Sequence, residues 1–218
     1  PSPGVDLDRP PLAVKIDNVD AARPQAGINQ ADMVFEELVE GGLTRLLAIF
    51  HSIDPETVGP VRSARSTDVP LLMPFRNPLF SWSGSNAAFA ELLDSTAVFD
   101  VGVDRRPEAY QRRDERIAPS NLYASPALMR SFTPDSALAP EQRFDFLPIG
   151  ESVLPAARPV DGVDVQWGST EVGFRWDSAR GGWARTQNGT PHVDETGLQV
   201  APQNLVVQFV PYLDTEAV

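Results

Sequence analysis

Prolines set the first limit on how this chain can fold. Pro134, Pro140, Pro148 and Pro155 all fall within Thr133–Arg158. Proline removes a backbone donor and interrupts helices and central strands alike. This stretch therefore reads as a connection, and the sequence pattern changes across it. Before it, strand-like runs alternate with helix-like spacing. Leu12–Ile16, Met33–Val39, Leu43–His51, Leu79–Ser83 and Ala97–Val101 read as strands. Glu40-Gly41-Gly42 can supply the positive φ of a hairpin turn between the second and third of these. A short helix is expected from Ser66, limited by Pro70 and Pro74. Asn86–Leu93 reads as a helix capped by Ser85, and Pro126–Phe132 as another. After the connection only strands are expected: Val163–Trp167, Gly173–Trp176, Gly182–Gln187, Thr190–Val193 and Leu205–Tyr212. Asn188-Gly189 is a two-residue hairpin signal. The expected fold class is α+β. Residues 1–140 form a mixed α/β N-terminal domain of short strands and helices, 141–160 a proline-rich connection, and 161–218 a smaller β-rich C-terminal domain.

Charge narrows the partners. The net charge of -12 over 218 residues disfavours nucleic acid, which needs a basic surface. Residues 1–61 carry 4 basic and 10 acidic groups, residues 62–130 carry 9 and 8, and residues 131–218 carry 5 and 12. Only the middle third would welcome an anion. No apolar run approaches the roughly 20 residues that span a bilayer. The absence of cysteine excludes disulfides, thiolate metal sites and cysteine nucleophiles. His51 and His192 are the only histidines and show no metal spacing, so neither metal nor cofactor is expected. Nucleophile-elbow, dinucleotide and P-loop motifs are absent.

Several groups could carry chemistry. Asp17-Asn18 ends an apolar strand, a common place for a functional carboxylate and also for a turn-former. Glu36, Glu37 and Glu40 lie on or beside a strand. Strand alternation puts Glu36 and Glu40 on one face and Glu37 on the other. Arg45 on the next strand is the expected partner of that pair. The segment Gly59-Pro60-Val61-Arg62-Ser63-Ala64-Arg65 sets two arginines three apart, on one face if a helix starts there. Planar guanidinium pairs suit carboxylate or phosphate. Lys15, the single lysine beside 17 arginines, lies in an apolar run where burial would shift its pKa. Arg105–Arg116 interleaves arginines with acids and reads as a solvated charged face.

The segments Val14–Asn18, Ala22–Ile28, Ala31–Glu36, Glu40–Arg45, Gly59–Arg65 and Ala118–Tyr123 occur in that order. Together they resemble the YerB-like lipoproteins, a family of unknown function in Gram-positive bacteria with an N-terminal domain and a C-terminal β domain. Arg175-Trp176-Asp177, Asp194 and Asn204–Phe209 are similar to that second domain. The resemblance implies an extracytoplasmic, membrane-anchored lipoprotein whose signal and lipidated cysteine lie upstream of residue 1. It implies a closing strand beyond Val218, so the C-terminal domain is expected to be incomplete. It adds weight to Asp17, Arg23, Glu36, Glu40, Arg45, Arg62 and Arg65, and brings in Asn121 and Tyr123. Ser120 stands where the family pattern leads one to expect histidine. The leading expectation is a module that binds an anionic cell-wall or peptide ligand through Arg23, Arg45, Arg62, Ser63 and Arg65, with Asn18, Asn121 and Tyr123 beside them. One alternative is a hydrolase or lyase of wall glycan using Asp17, Glu36 or Glu40. Another is an envelope protein that docks a partner through its β-rich part.

Overall fold

A computed structural model describes residues 7–142, 144, 145, 151 and 157–211. The apolar runs at 12–17 and 44–50 become the central strands β1 (Leu12–Asp17) and β3 (Thr44–Phe50), with every residue buried. Strands covered on both faces read as near-continuous apolar runs, as Leu46–Phe50 does, whereas β1 is interrupted by buried Lys15 and the two strands meet at the polar residues Asp17, Thr44 and Arg45. Around them lie β2 (Met33–Leu38), β4 (Leu79–Ser81) and β5 (Phe99–Asp100), in the order β2-β3-β1-β4-β5. β1 is antiparallel to β3 and parallel to β4.

The pleat sorts side chains into two layers. Leu12, Val14 and Ile16 of β1 face one core with Leu46, Ala48 and Phe50 of β3. Val58, Val61, Leu122, Ala124 and Met129 cover this face. The opposite face holds Ala13, Leu47 and Ile49 under Leu72, Phe75, Trp82, Phe89 and Leu93. Each such fully buried aliphatic or aromatic side chain contributes about 1.5–3 kcal/mol. Helices α1 (Asp68–Leu72) and α2 (Ala87–Asp94) supply the second cover. The β-hairpin of β6 (Tyr110–Arg112) and β7 (Leu122–Ala124), with helix α3 (Pro126–Arg130), supplies part of the first.

A second, antiparallel sheet has the order β11-β10-β9-β8, from β8 (Gly162–Trp167), β9 (Thr170–Asp177), β10 (Gly182–Gln187) and β11 (Thr190–Pro191). Asn188 and Gly189 take positive φ at the β10–β11 turn, as a tight hairpin requires. Its β8–β9 turn rests on the β2–β3 turn: Ser169 N donates to Gly42 O at 3.1 Å. Gly42 has φ 72, and a Cβ there would stand 2.8 Å from Ser169 N. Glycine is required on both counts.

The sequence expectations need four corrections. α2 is capped by Asn86, whose side chain accepts from Phe89 N at 2.8 Å, and not by Ser85. Tyr110–Arg112 is a strand, because its backbone pairs with Leu122–Ala124. No helix begins at Arg62; the first turn of α1 is at Asp68, beyond the backbone pairing that keeps Arg62–Ala64 extended. The expected strand Leu205–Tyr212 does not form over residues 205–211, while residue 212 lies outside the described residues. Among the described residues no neighbouring backbone pairs with that segment, and it leaves Val206 at 82% and Phe209 at 94% exposure.

Candidate functional site

The arginine turn is held as an inserted strand. Asp17 N donates to Pro60 O at 2.9 Å, Val61 N to Leu122 O at 2.6 Å and Arg62 N to Lys15 O at 2.9 Å. On its far side Ser83 N donates to Arg62 O at 3.0 Å and Ala64 N to Gly84 O at 3.1 Å. This ladder fixes where the two arginines leave the backbone. Gly59 opens the turn at φ 150, with Leu122 O and the Tyr123 ring 3.0 Å from where a Cβ would sit.

Three guanidinium groups gather there. Arg62 Nε lies 3.3 Å from the Asp17 carboxylate, which also accepts from Ser120 Oγ at 2.8 Å. Serine thus takes, with one hydrogen bond, the place at Asp17 where a histidine was expected. Arg65 grips Glu40 through Nε and Nη2 at 2.7 and 2.8 Å. This bidentate bond holds the Glu40 carboxyl down to about 2. Arg45 Nη1 donates to Ser63 O at 2.8 Å, and Arg45 ion-pairs with no carboxylate among the described residues. Burial, then the nearby charges of Arg65 and Arg62, push Arg45 down to about 10. Beside this cluster opens a groove of about 370 Å³ lined by Ser63, Arg65, Glu40, Gly84, Ser85 and Asn86; Arg45 and Arg62 are outside its lining and touch its wall at Ser63.

Under the turn, Lys15 is wholly buried. It ion-pairs with Glu37 and, at 2.8 Å, with Asp68, which also accepts from Arg65 N at 2.7 Å. Burial, helped by the charge of Glu37 and opposed by Lys15, lifts the Asp68 carboxyl to about 7. The Glu37 carboxyl is lowered: burial acts against ionisation, but Lys15 and the hydrogen bonds outweigh it.

Glu36 lies on the other face of the sheet. Residue 36 pairs with Leu46, whereas Glu37 pairs with Arg45, so Arg45 points away from Glu36 and is not its partner. The partner is Arg185 of β10, whose Nη2 lies 3.0 Å from both Glu36 oxygens. Arg185 is 4% exposed and also bonds Gln187 and His192. His192 Nε2 meets Gln25 Oε1 at 2.6 Å, and Gln25 Nε2 donates to Asp17 O at 3.0 Å. Asn18 Nδ2 donates to Thr44 Oγ1 at 2.7 Å and to Glu36 at 3.2 Å. Burial and the charges of Arg185 and Arg23 hold His192 neutral, at about 2. This network ties the two sheets together and is structural in its geometry. Glu40 lies past the end of β2, so it shares no strand face with Glu36.

The structure therefore unites Arg45, Arg62, Ser63 and Arg65 with Asp17 and Glu40. It does not bring Arg23, Asn121 or Tyr123 to the groove. Arg23 ion-pairs with Asp20. Asn121 accepts from Arg112 Nη1 at 2.6 Å, and the Tyr123 ring lies 3.7 Å beneath the Arg113 guanidinium. Asn18 serves the network on the opposite face. The arginine stretch is only partly a solvated face, since Arg116 donates to the carbonyls of Ala21, Arg23 and Pro24. Sequence reasoning missed Gln25, Arg185, Gln187 and His192. The one available signal was an arginine inside a strand with a histidine seven residues on.

Comparison with known proteins agrees with the resemblance. The chain is 34% identical over 205 residues to the protein named "Putative lipoprotein YerB" of Bacillus subtilis (strain 168), covering 92% of this chain. The match spans 62% of that relative's length. The crystal structure of the YerB protein from Bacillus subtilis superposes with a TM-score of 0.73 at 32% identity, over 89% of this chain and 67% of that one. Residues 2–139 match the family described as "Protein of unknown function (DUF3048) N-terminal domain", and residues 163–217 match its C-terminal domain. The chain thus belongs to this family of YerB-like proteins, across both of the family's domains.

Proposed function

We propose that this protein binds an anionic group of the cell envelope, from a wall polymer or a peptide, at the groove beside the arginine turn. One observation carries the reading. Arg45 lies next to Arg62 and Arg65 with no carboxylate of its own among the described residues, so positive charge is in excess there in a chain of net charge -12. Arg62 adds donors, since among the described residues its terminal nitrogens make only one long contact, 3.4 Å to Ser63 Oγ. Charged hydrogen bonds contribute roughly 1.5–3 kcal/mol each. Calorimetric titration with anionic wall fragments tests this. Arg62→Ala and Arg45→Gln should each weaken binding by about tenfold or more, and Arg65→Ala less, because Glu40 already occupies its edge. Binding unchanged in the first two variants refutes the reading.

A hydrolase or lyase would need an unengaged acid–base pair of carboxylates. Asp17, Glu36 and Glu40 are each committed to an arginine, which favours binding over hydrolysis. The lipoprotein name of the relative supports a lipid-anchored place outside the cytoplasm. Fractionation tests that: recovery of the natural protein in the cytosol refutes it. Exposed Val206 and Phe209 support a second reading, a protein contact through the β-rich part. A photocrosslinker at position 209 should trap one discrete envelope protein in cells, and a lack of adducts removes this reading.

A further inference from the structure

The charges around the arginine turn can be counted one by one. Arg45, Arg62 and Arg65 bring three positive charges. Asp17 and Glu40 bring two negative ones, each ion-paired with one of these arginines. Beneath them lie Lys15, Glu37 and Asp68, from β1, β2 and α1. Asp68 keeps its proton below about 7, so in that range the inner group sums to zero. No other charged side chain contacts these groups among the described residues. One positive charge is left over, shared between Arg45 and the terminal edge of Arg62.

The shape of that surplus also selects. Arg62 turns Nε to Asp17 and sets Nη1 3.4 Å from Ser63 Oγ, with no hydrogen bond to Nη2 among the described residues, while Arg45 spends Nη1 on Ser63 O. A guanidinium edge presents two coplanar N–H groups and takes two oxygens of one anion. A carboxylate or a phosphodiester offers two such oxygens and a single charge. A phosphate monoester near neutral pH, or sulfate, adds a second charge that nothing there neutralises and sets it beside Asp17 and Glu40.

We infer that a singly charged oxyanion, a carboxylate or a phosphodiester, is held by the terminal edge of Arg62 beside Arg45, where both meet Ser63 at the wall of the groove. The inference rests on the anion-binding reading above and names its ligand class. The test uses the whole chain near pH 6 at constant ionic strength, with NMR signals of the arginine Nε–H groups as readout. Methyl sulfate, dimethyl phosphate and acetate carry one charge, and sulfate carries two. The singly charged probes should shift the Arg45 and Arg62 signals, and sulfate should bind about tenfold more weakly, as expected for one unfavourable like-charge contact. In Glu40→Gln, which removes one negative charge, sulfate should recover most of that loss. A peptide with a free C-terminal carboxylate, its amidated form and a short poly(glycerol phosphate) then compete with methyl sulfate, and the winner identifies the source. Sulfate binding as tightly as methyl sulfate overturns the charge count and leaves anion binding standing. No shift with any probe overturns both.

Discussion

Asp68 and His192 are both buried, and their titrations pull stability in opposite directions with pH. Asp68 is lifted to about 7 in the folded protein from an ordinary value of 3.8, chiefly by burial. Between those values the folded state holds a proton that the unfolded state has lost, so stability falls as pH rises. His192 is pushed down to about 2 from 6.5, by burial and then by Arg185 and Arg23. Between those values the unfolded state holds the extra proton, so stability rises with pH. From about pH 5 to 6.5 the two slopes oppose each other, each on the order of 1.4 kcal/mol per unit. The parent protein should therefore be nearly level across that window. Asp68→Asn removes the falling slope, so its stability should climb by roughly 2 kcal/mol over the window. His192→Gln should descend by roughly the same amount. Urea unfolding followed by tryptophan fluorescence at four pH values measures this, and the slope is read rather than the absolute stability. A level Asp68→Asn profile, or a parent profile that climbs as steeply as this variant, would refute the assignment of the two protons.

Two other outcomes follow from single contacts. Arg185→Met leaves Glu36 buried without its cation, and should cost about 3–5 kcal/mol in chemical denaturation, more than truncating an exposed pair such as Arg175–Asp164. Gly42→Ala meets both a positive φ and Ser169 N, and should cost about 1–3 kcal/mol while raising proteolysis between the two sheets; unchanged resistance would show that the β8–β9 turn is not seated there.

Local physics made part of this fold legible. β1 and β3 announce themselves because both faces are covered, so they read as apolar runs broken only by Lys15 and by the polar ends Asp17, Thr44 and Arg45. Gly41, Gly42, Asn188 and Gly189 mark turns because the backbone there needs positive φ. Other features depend on partners far along the chain. Tyr110–Arg112 looks like a charged surface until Leu122–Ala124 lies beside it. Glu36 finds Arg185 across 149 residues, and no local pattern encodes that distance. The arginine turn stands out in composition, yet the helix start that would set Arg62 and Arg65 on one face does not form there. Residues 61 and 62 are claimed by backbone bonds to Leu122 and Lys15, which hold the segment extended.

The pleat of one sheet keeps the two charged systems apart. Lys15, Asp17, Glu37 and Arg45 share a face with the groove, whereas Glu36 joins the network that binds the sheets together. The backbone joins them at Asp17-Asn18, Glu36-Glu37 and Thr44-Arg45, and at the first of these both residues bond across the joint. The Asp17 side chain holds Arg62, its carbonyl accepts from Gln25, and Asn18 reaches Glu36. Glu36→Gln should thus destabilise the fold and leave anion affinity unaltered, while Arg62→Ala should lower affinity and, by leaving buried Asp17 without its cation, also cost stability. In a double-mutant cycle the two should add to within about 0.5 kcal/mol, as for sites with no shared partner. Gln25→Ala differs, because it removes support from the Asp17 carbonyl and from His192 together. That variant should lower both stability and affinity, and its cycle with Arg62→Ala should show coupling of about 0.5 kcal/mol or more. Coupling between Glu36 and Arg62 as large as that between Gln25 and Arg62 would mean that the sheet transmits between its faces, and the separation argued from the pleat would fail.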